Sequence, residues 1–338
     1  MKLYGGIDLH SNNHVVVLSD EEDRIVYRKR LPNELETVLR ELSPYRDRIV
    51  GLVVESTYNW YWLVDGLMDA GYALHLANTA AIKQYEGLKY TDDDSDAAWL
   101  AKLLRLKLLP EGYIYPKQDR AVRDLLRKRT QLVHQKTSNI LSIQNLVARN
   151  TGMGISANNI KKLTDEAVDG LLTDCDLALA VKANVSVLTC LRQQIKQIER
   201  VVQDRVKAKP PFTYLQTTDG IGLILSLTIM LETGDVHRFD GVGNFASYCR
   251  CVDSKKLSNG KRKGEGNRKC GNKYLAWAFV EAANFSIRRN DRIMRFYQRK
   301  LARTNRIVAI KAVAHKLARA CYYIMRDEVA FDINKAFA

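Results

Sequence analysis

Through residue 77 the apolar positions come in short runs, whereas beyond residue 118 they recur at steps of three and four. The first kind predicts strands. "KLYGGID" (2–8), the β-branched "HVVVLS" (14–19), the alternating "RIVYRKR" (24–30) and the unbroken "IVGLVVES" (49–56) all have strand length, and the last suits burial on both faces. "ELETVLREL" (34–42) places Leu35, Val38, Leu39 and Leu42 on one helical face, with Asn33 expected as its cap. "YNWYWLVDGLMDAG" (58–71) reads as a second helix stopped by Gly71, and "YALHLA" (72–77) as a fifth strand. A third helix starts within "TDDDSDAAWLA" (91–101).

Three strands followed by alternating helices and strands predict a ribonuclease H-like α/β fold, with the first strand mid-sheet beside the fourth. Asp8, ending the first strand, then meets Glu55, ending the fourth. Residues 119–150 and 177–207 read as long helices: Leu126, Val133, Ile140 and Val147 recur every seven residues, and Leu188, Leu191, Ile195, Ile198 and Val202 step by three and four. Either a coiled-coil hairpin turned by "NTGMGISANN" (150–159) or two amphipathic helices on a domain core fits these seams. "TTDGIGLILSLTIML" (217–231) has a helix-hairpin-helix form, in which Gly220 and Gly222 let backbone N–H groups approach a phosphate. Helices over 273–289 and 309–328 close the chain. The predicted domains are 1–118 (α/β), 119–207 (helical linker) and 208–338 (mainly helical).

Charge sharpens that division. The 338 residues carry a net +15, yet residues 1–100 hold 10 Lys/Arg against 17 Asp/Glu, so the remainder is strongly basic. Such an excess suits a phosphate-rich partner, because Lys and Arg displace counterions condensed on nucleic acid. A merely soluble basic protein is the plainer reading. The segment 250–273 concentrates nine Lys/Arg, two acids and four glycines, with Lys255, Lys256, Lys261, Arg262, Lys263, Arg268 and Lys269 as candidate backbone contacts. No apolar run of membrane-spanning length and no signal-peptide pattern occurs, so an intracellular, cytoplasmic protein is expected. Cys249, Cys251 and Cys270, near His237, lack a C-x₂-C pair and read as ordinary thiols rather than a zinc knuckle.

Against this background the acidic cluster needs a reason. Asp92, Asp93, Asp94 and Asp96 crowd one helix start, where the dipole favours each carboxylate by only about 0.3–1 kcal/mol. A divalent cation, Mg²⁺ or Mn²⁺, accounts for more: Asp93 and Asp96 share a helix face and can converge with Asp8 and Glu55. The plain alternative is a solvated acidic cap on Asp92 or Asp93.

"GIDLH", "VVES" and "TDDDSDAAWLA" resemble the DEDD motif of the insertion-sequence-110 transposases, and "DGIGLILSLTIMLETGD", "FASYCRCVDS", "LSNG" and "GNKYLAWAFVEAA" resemble that family's transposase domain. The resemblance implies a RuvC-like domain binding metal through Asp8, Glu55, Asp93 and Asp96, with Asp92 and Asp94 open as alternatives at the third position. It also implies a nucleophilic serine, carried to Ser258, with Ser254 and Ser247 remaining candidates because the usual Ser-Ser-Gly reads Ser258-Asn259-Gly260 here. The family recombines donor and target DNA under a structured guide RNA, the bridge RNA. Nothing in composition reveals that RNA.

A serine hydroxyl needs activation, and no base neighbours Ser258 in sequence. The lysines around it can hold a scissile phosphate, while Tyr248, His237 and His315 are candidate helpers. Roughly 160 residues separate Ser258 from the acids, so a centre shared between subunits of a dimer or larger oligomer, up to a tetramer, is expected. Two other readings compete: a junction-resolving endonuclease of the same fold, using metal-activated water, and a non-catalytic nucleic-acid-binding protein.

Overall fold

The computed structural model describes residues 1–82, 92–207, 209–253, 256–264 and 270–338. β1 (Leu3–Leu9), β2 (Asn13–Ser19) and β3 (Ile25–Pro32) form an antiparallel meander. α1 (Leu35–Leu42) then leads to β4 (Ile49–Glu55), and α2 (Tyr61–Asp69) to β5 (Leu74–Ala77). β4 lies parallel to β1 and β5 parallel to β4, so the sheet order is β3-β2-β1-β4-β5-β6. β6 (Glu111–Gly112), antiparallel to β5, has two residues, too few to leave any period in the sequence.

The pleat sorts the two faces. Leu3, Ile7, Leu9, Leu52 and Val54 join Val38, Leu42, Leu63 and Leu67 of α1 and α2 in one core. On the opposite face Val15 and Val17 meet Ala97, and Val53 and Ala77 meet Leu100, both from α3 (Asp93–Arg105). α1 differs from expectation at its start: Glu34 is the cap residue, without a side-chain bond. Asn33 has other partners, donating through Nδ2 to the carbonyls of His10 and Ser11, both at 3.0 Å, with Oδ1 2.9 Å from His14 Nδ1.

α4 (Lys117–Thr151) and α7 (Cys175–Val206) pack antiparallel: Ile140, Ile143 and Val147 share a cluster with Ala178, Val181 and Leu188, while Val122 and Leu126 share another with Val202 and Val206. Arg129 Nη2 to Glu199 Oε1, 2.7 Å, fixes the register between them. The turn expected over 150–159 is shorter than that, because α5 (Ala157–Ile160) and α6 (Asp165–Leu171) follow, and Ile160 and Val168 fill the gap at the hairpin's end. α8 (Pro210–Leu215), α9 (Leu223–Thr233), α10 (Val242–Tyr248), α11 (Lys273–Arg289), α12 (Asp291–Leu301), α13 (Arg306–Asp327) and α14 (Ile333–Ala336) complete the helices. Phe245, Phe279, Leu317 and Cys321 lie at the centre of their core.

Glu232, nearly inaccessible on α9, takes a two-pronged bond from Arg127, both contacts at 2.7 Å, and a third from Asn272 Nδ2, also 2.7 Å. Asn272 Oδ1 meanwhile caps α11 by accepting from the amides of Tyr274 and Leu275. The "GNKYL" signature is thus explained by the position of α11. Compactness divides the chain into residues 1–117 with 254–270 and residues 118–253 with 271–338.

Candidate metal and nucleic-acid site

Asp8 stands one step past the paired Ile7 and Val54, which sets it across from Glu55 at the ends of parallel strands. Alternation turns both side chains to the face that α3 covers. A Cβ on Gly6 would lie 1.8 Å from the Ala97 carbonyl oxygen, so glycine alone lets α3 rest this low on β1. Gly6 and the fully buried Ala97 together set the height at which the first turn of α3 meets the sheet.

Within that first turn the acids separate by role. Asp92 is the cap: its Oδ1 accepts from the Ser95 amide at 2.8 Å and from the Ser95 hydroxyl. Asp94 pairs with Arg28 at 3.3 Å. Asp93 Oδ2 lies 3.2 Å from His10 Nε2, which is 3.2 Å from Asp8 Oδ2, and Asp8, His10 and Asp93 each offer a ligand atom within 4.8 Å of the others. His10 Nε2 is shielded from solvent, and neither carboxylate is aligned to hydrogen-bond it. Its backbone is pinned by Asn33 and by Asn59, whose Nδ2 donates to the His10 carbonyl at 2.9 Å.

The electrostatics show acids crowded together. Burial, a hydrogen bond with Asp8 and the charges of Asp8 and Asp96 push the Glu55 carboxyl up to about 7. Asp96 is raised too, by burial and then by Asp8, Asp93 and Asp92. Asp93 goes the other way, held below the usual carboxylate range first by its hydrogen bond from Arg30. Asp8, His10 and Asp93 form a donor set that suits a divalent cation, with Glu55 and Asp96 close enough for their charges to be felt. His10 is not among the ligands expected from the sequence. Its signal was there, since a residue two positions past Asp8 has same-face spacing.

Ser258 ends β7 (Lys256–Ser258) and pairs with Lys261 of β8 (Lys261–Gly264). Asn259 and Gly260, at φ 51° and 71°, make the two-residue turn that Asn-Gly favours. Ser258, Lys261 and Lys263 are exposed. Ser254, Lys255, Arg268 and Lys269 lie outside the described residues, as do the side chains of Lys256 and Arg262. Cys270, at the end of this segment, points its thiol at the Ala80 carbonyl, 3.8 Å away and just past β5, whose Ala77 pairs with Glu55.

Gly220 and Gly222 differ in kind. Gly220 is buried at φ +89°, and a Cβ there would meet Ser286 Oγ at 2.4 Å, so its requirement for glycine comes from packing on α11 and it offers no surface to a phosphate. Gly222 is exposed at the start of α9 with open space around it. Ser247 is exposed on α10, whereas Tyr248 stacks with Phe239 and lies under Arg238. Cys249 and Cys321 are buried, and burial pushes both thiols up, which leaves them protonated and inert.

Comparison with known proteins agrees with this geometry. Residues 5–149 match the DEDD-type model described as "Transposase", so the class is that of DNA transposases, enzymes that cut and rejoin DNA. Residues 213–298 match the model described as "Transposase IS116/IS110/IS902 family". The two matches together take in more than half of the chain, and the chain belongs to the IS110 family of transposases. The transposase for insertion sequence element IS1111A of Coxiella burnetii is 22% identical over 295 residues, 84% of this chain and 77% of that protein. The insertion element IS110 uncharacterized 43.6 kDa protein of Streptomyces coelicolor is 22% identical over 157 residues, 46% of this chain but only 39% of that protein. Among the described residues no helix is long and apolar enough to cross a membrane.

Proposed function

We propose that this transposase cuts and rejoins DNA through Ser258, assisted by Mg²⁺ or Mn²⁺ held by Asp8, Glu55, Asp93 and Asp96 on a RuvC-like, ribonuclease H-like domain. One observation supports the reading: Asp8, Glu55 and the Asp93/Asp96 pair, far apart along the chain, feel one another's charge, and Glu55 is pushed up to about 7. Like charges so close favour either a proton or a cation. His10 adds a nitrogen donor that suits Mn²⁺ better than Mg²⁺. When bound, the ion polarises the scissile phosphate and stabilises charge developing on its oxygens.

The chain's own residues do the rest. Arg28 and Arg30 hold Asp94 and Asp93 in place, Lys261 and Lys263 neutralise the phosphate beside Ser258, and Gly222 opens the start of α9 to backbone oxygens. Attack by Ser258 Oγ makes one phosphorus–oxygen bond while the bond to the departing strand breaks; the serine proton passes to solvent and the departing oxygen takes one up from solvent, so that strand ends in a hydroxyl. The phosphodiester is conserved as a serine–DNA link, and a hydroxyl from another strand reverses the step. The segment bearing Ser258 belongs to the same compact unit as the carboxylates, which supports their joint use. The family resemblance adds a structured guide RNA; the separation of Ser258 from the acids along the chain adds a dimer or tetramer, and the sequence pattern adds the segments 1–118, 119–207 and 208–338 and work at the bacterial nucleoid in the cytoplasm.

A metal-dependent junction endonuclease is the second reading, favoured by the fact that Ser258 sits in an ordinary Asn-Gly turn with no described base against it. Incubation with DNA carrying the element's junction, followed by denaturing electrophoresis, separates the two. A protein–DNA adduct that requires both Ser258 and Asp8 supports the recombinase. Free hydrolysed ends from Ser258→Ala support the nuclease, and full activity of Asp8→Ala removes both.

A further inference from the structure

The turn between β1 and β2 closes itself, the His10 amide donating to the Asn13 carbonyl at 2.9 Å. It is nevertheless tied twice more from outside. Asn33, between β3 and α1, gives both Nδ2 hydrogens to the turn, one to the His10 carbonyl and one to that of Ser11, each at 3.0 Å. Asn59, in the β4–α2 connection, donates to the same His10 carbonyl at 2.9 Å, and its Oδ1 accepts from the Thr57 hydroxyl at 2.9 Å. Two amides from separate parts of the chain thus converge on the backbone of the residue whose Nε2 faces Asp8 and Asp93, each at 3.2 Å.

Asn33 is in turn oriented by a buried histidine. With both Nδ2 hydrogens given to carbonyls, its Oδ1, 2.9 Å from His14 Nδ1, can only accept. His14 therefore carries its proton on Nδ1, because the other tautomer would set two acceptors against each other. The His14 side chain is closed to solvent, its ring meets that of Trp62 on α2 edge-on at 6.1 Å, and its Nε2 has no hydrogen-bond partner among the described residues. Burial lowers this imidazole and so keeps it neutral. A buried ring with one nitrogen unused is a poorer core residue than an apolar side chain of the same size. The bond to Asn33 is what sets it apart.

We infer that His14 is a positioning residue of the metal site: through Asn33 it fixes the carbonyls of the β1–β2 turn and so holds the His10 ring between Asp8 and Asp93. The inference rests on the metal-binding reading above. His14 acts without touching the ion, as groups that orient a metal's ligands from behind do, and losing such a group weakens metal binding about 10–100-fold.

The test is a Mn²⁺ titration of the full chain without DNA, read by the electron paramagnetic resonance signal of the free ion. His14→Phe keeps the bulk of the ring and removes the donor, so Mn²⁺ affinity should fall about tenfold or more. His14→Asn does the reverse, since Nδ2 can stand where Nδ1 stood: it should melt earlier through lost packing yet bind Mn²⁺ nearly as the parent does. A merely structural role predicts that affinity follows Tm instead, and that outcome, or parent-like affinity in His14→Phe, overturns the inference. Nitrogen-15 NMR of the metal-free, histidine-labelled protein should find the His14 proton on Nδ1, and a proton on Nε2 overturns it too. Should His14→Phe fail to fold, Asn33→Ala breaks the same link at a half-buried position and must lower the affinity to the same degree. A parent that binds no Mn²⁺, or binds it equally after Asp8→Asn, removes the metal reading and this inference together, whereas parent binding with an unaffected His14→Phe removes the inference alone.

Discussion

The carboxylate site and the α12–α13 face solve opposite electrostatic problems. At the sheet end, β1, β4 and α3 bring acids within reach of one another's charge, and Gly6 and Ala97 set how low α3 rests on β1. On α12–α13, cations are spread over two helix surfaces; Arg292, Lys316 and Arg326 are held by neighbours. A convergent site depends on position, so single changes are costly. A distributed surface depends on number, so its losses come in increments.

The sharpest break in that contrast is Asp8→Asn, which keeps shape and removes charge; strand cleavage should fall by about a thousandfold or more, read in a gel assay at saturating Mn²⁺. In the other unit, Arg127→Met leaves Glu232 buried with Asn272 as its remaining partner. Denaturant unfolding should show a loss of about 3 kcal/mol, and a loss under 1 kcal/mol would deny the pair its structural role.

Gly6→Ala tests placement directly. The added methyl pushes α3 off β1, and overpacking of this kind costs about 1–3 kcal/mol. Cleavage should drop with it even at temperatures where the protein stays folded, because Asp93 and Asp96 move with the helix.

Protonation offers a milder test. Glu55 binds its proton more tightly folded, near 7, than unfolded, near 4.5. In the metal-free protein this acid therefore subtracts stability as pH rises from about 4.5 to about 7, and the cost stays constant above that. Mn²⁺ should raise Tm at pH 8 and scarcely at pH 5, where a proton already occupies the carboxyl. Glu55→Gln should raise the metal-free Tm at pH 8 and abolish most of the response to Mn²⁺. The smallest effect expected is from Arg28→Gln, whose exposed pair with Asp94 is worth under about 1 kcal/mol; its Tm should sit close to that of the parent.

Much of this was legible in the residues alone. Short β-branched runs and three-four spacing mark β1–β5, α1–α4 and α7, because pleat and helix turn impose their periods locally. The acidic crowd in "TDDDSD" announces chemistry, since no local effect repays it. What the residues could not fix was which aspartate does what. Asp92 as cap, Asp94 against Arg28 and Asp93 toward Asp8 depend on how far α3 descends on β1, a distance set by Gly6 and Ala97 from separate parts of the chain. Asn33 shows the same limit: in sequence a cap residue looks like the loop tie it proves to be. His10 lay in plain view beside Asp8, but only the tertiary fold gives its nitrogen two carboxylates to face. Periodicity is a property of neighbours along the chain; convergence belongs to register and helix-on-sheet packing, which sum contacts over distances that no local pattern records.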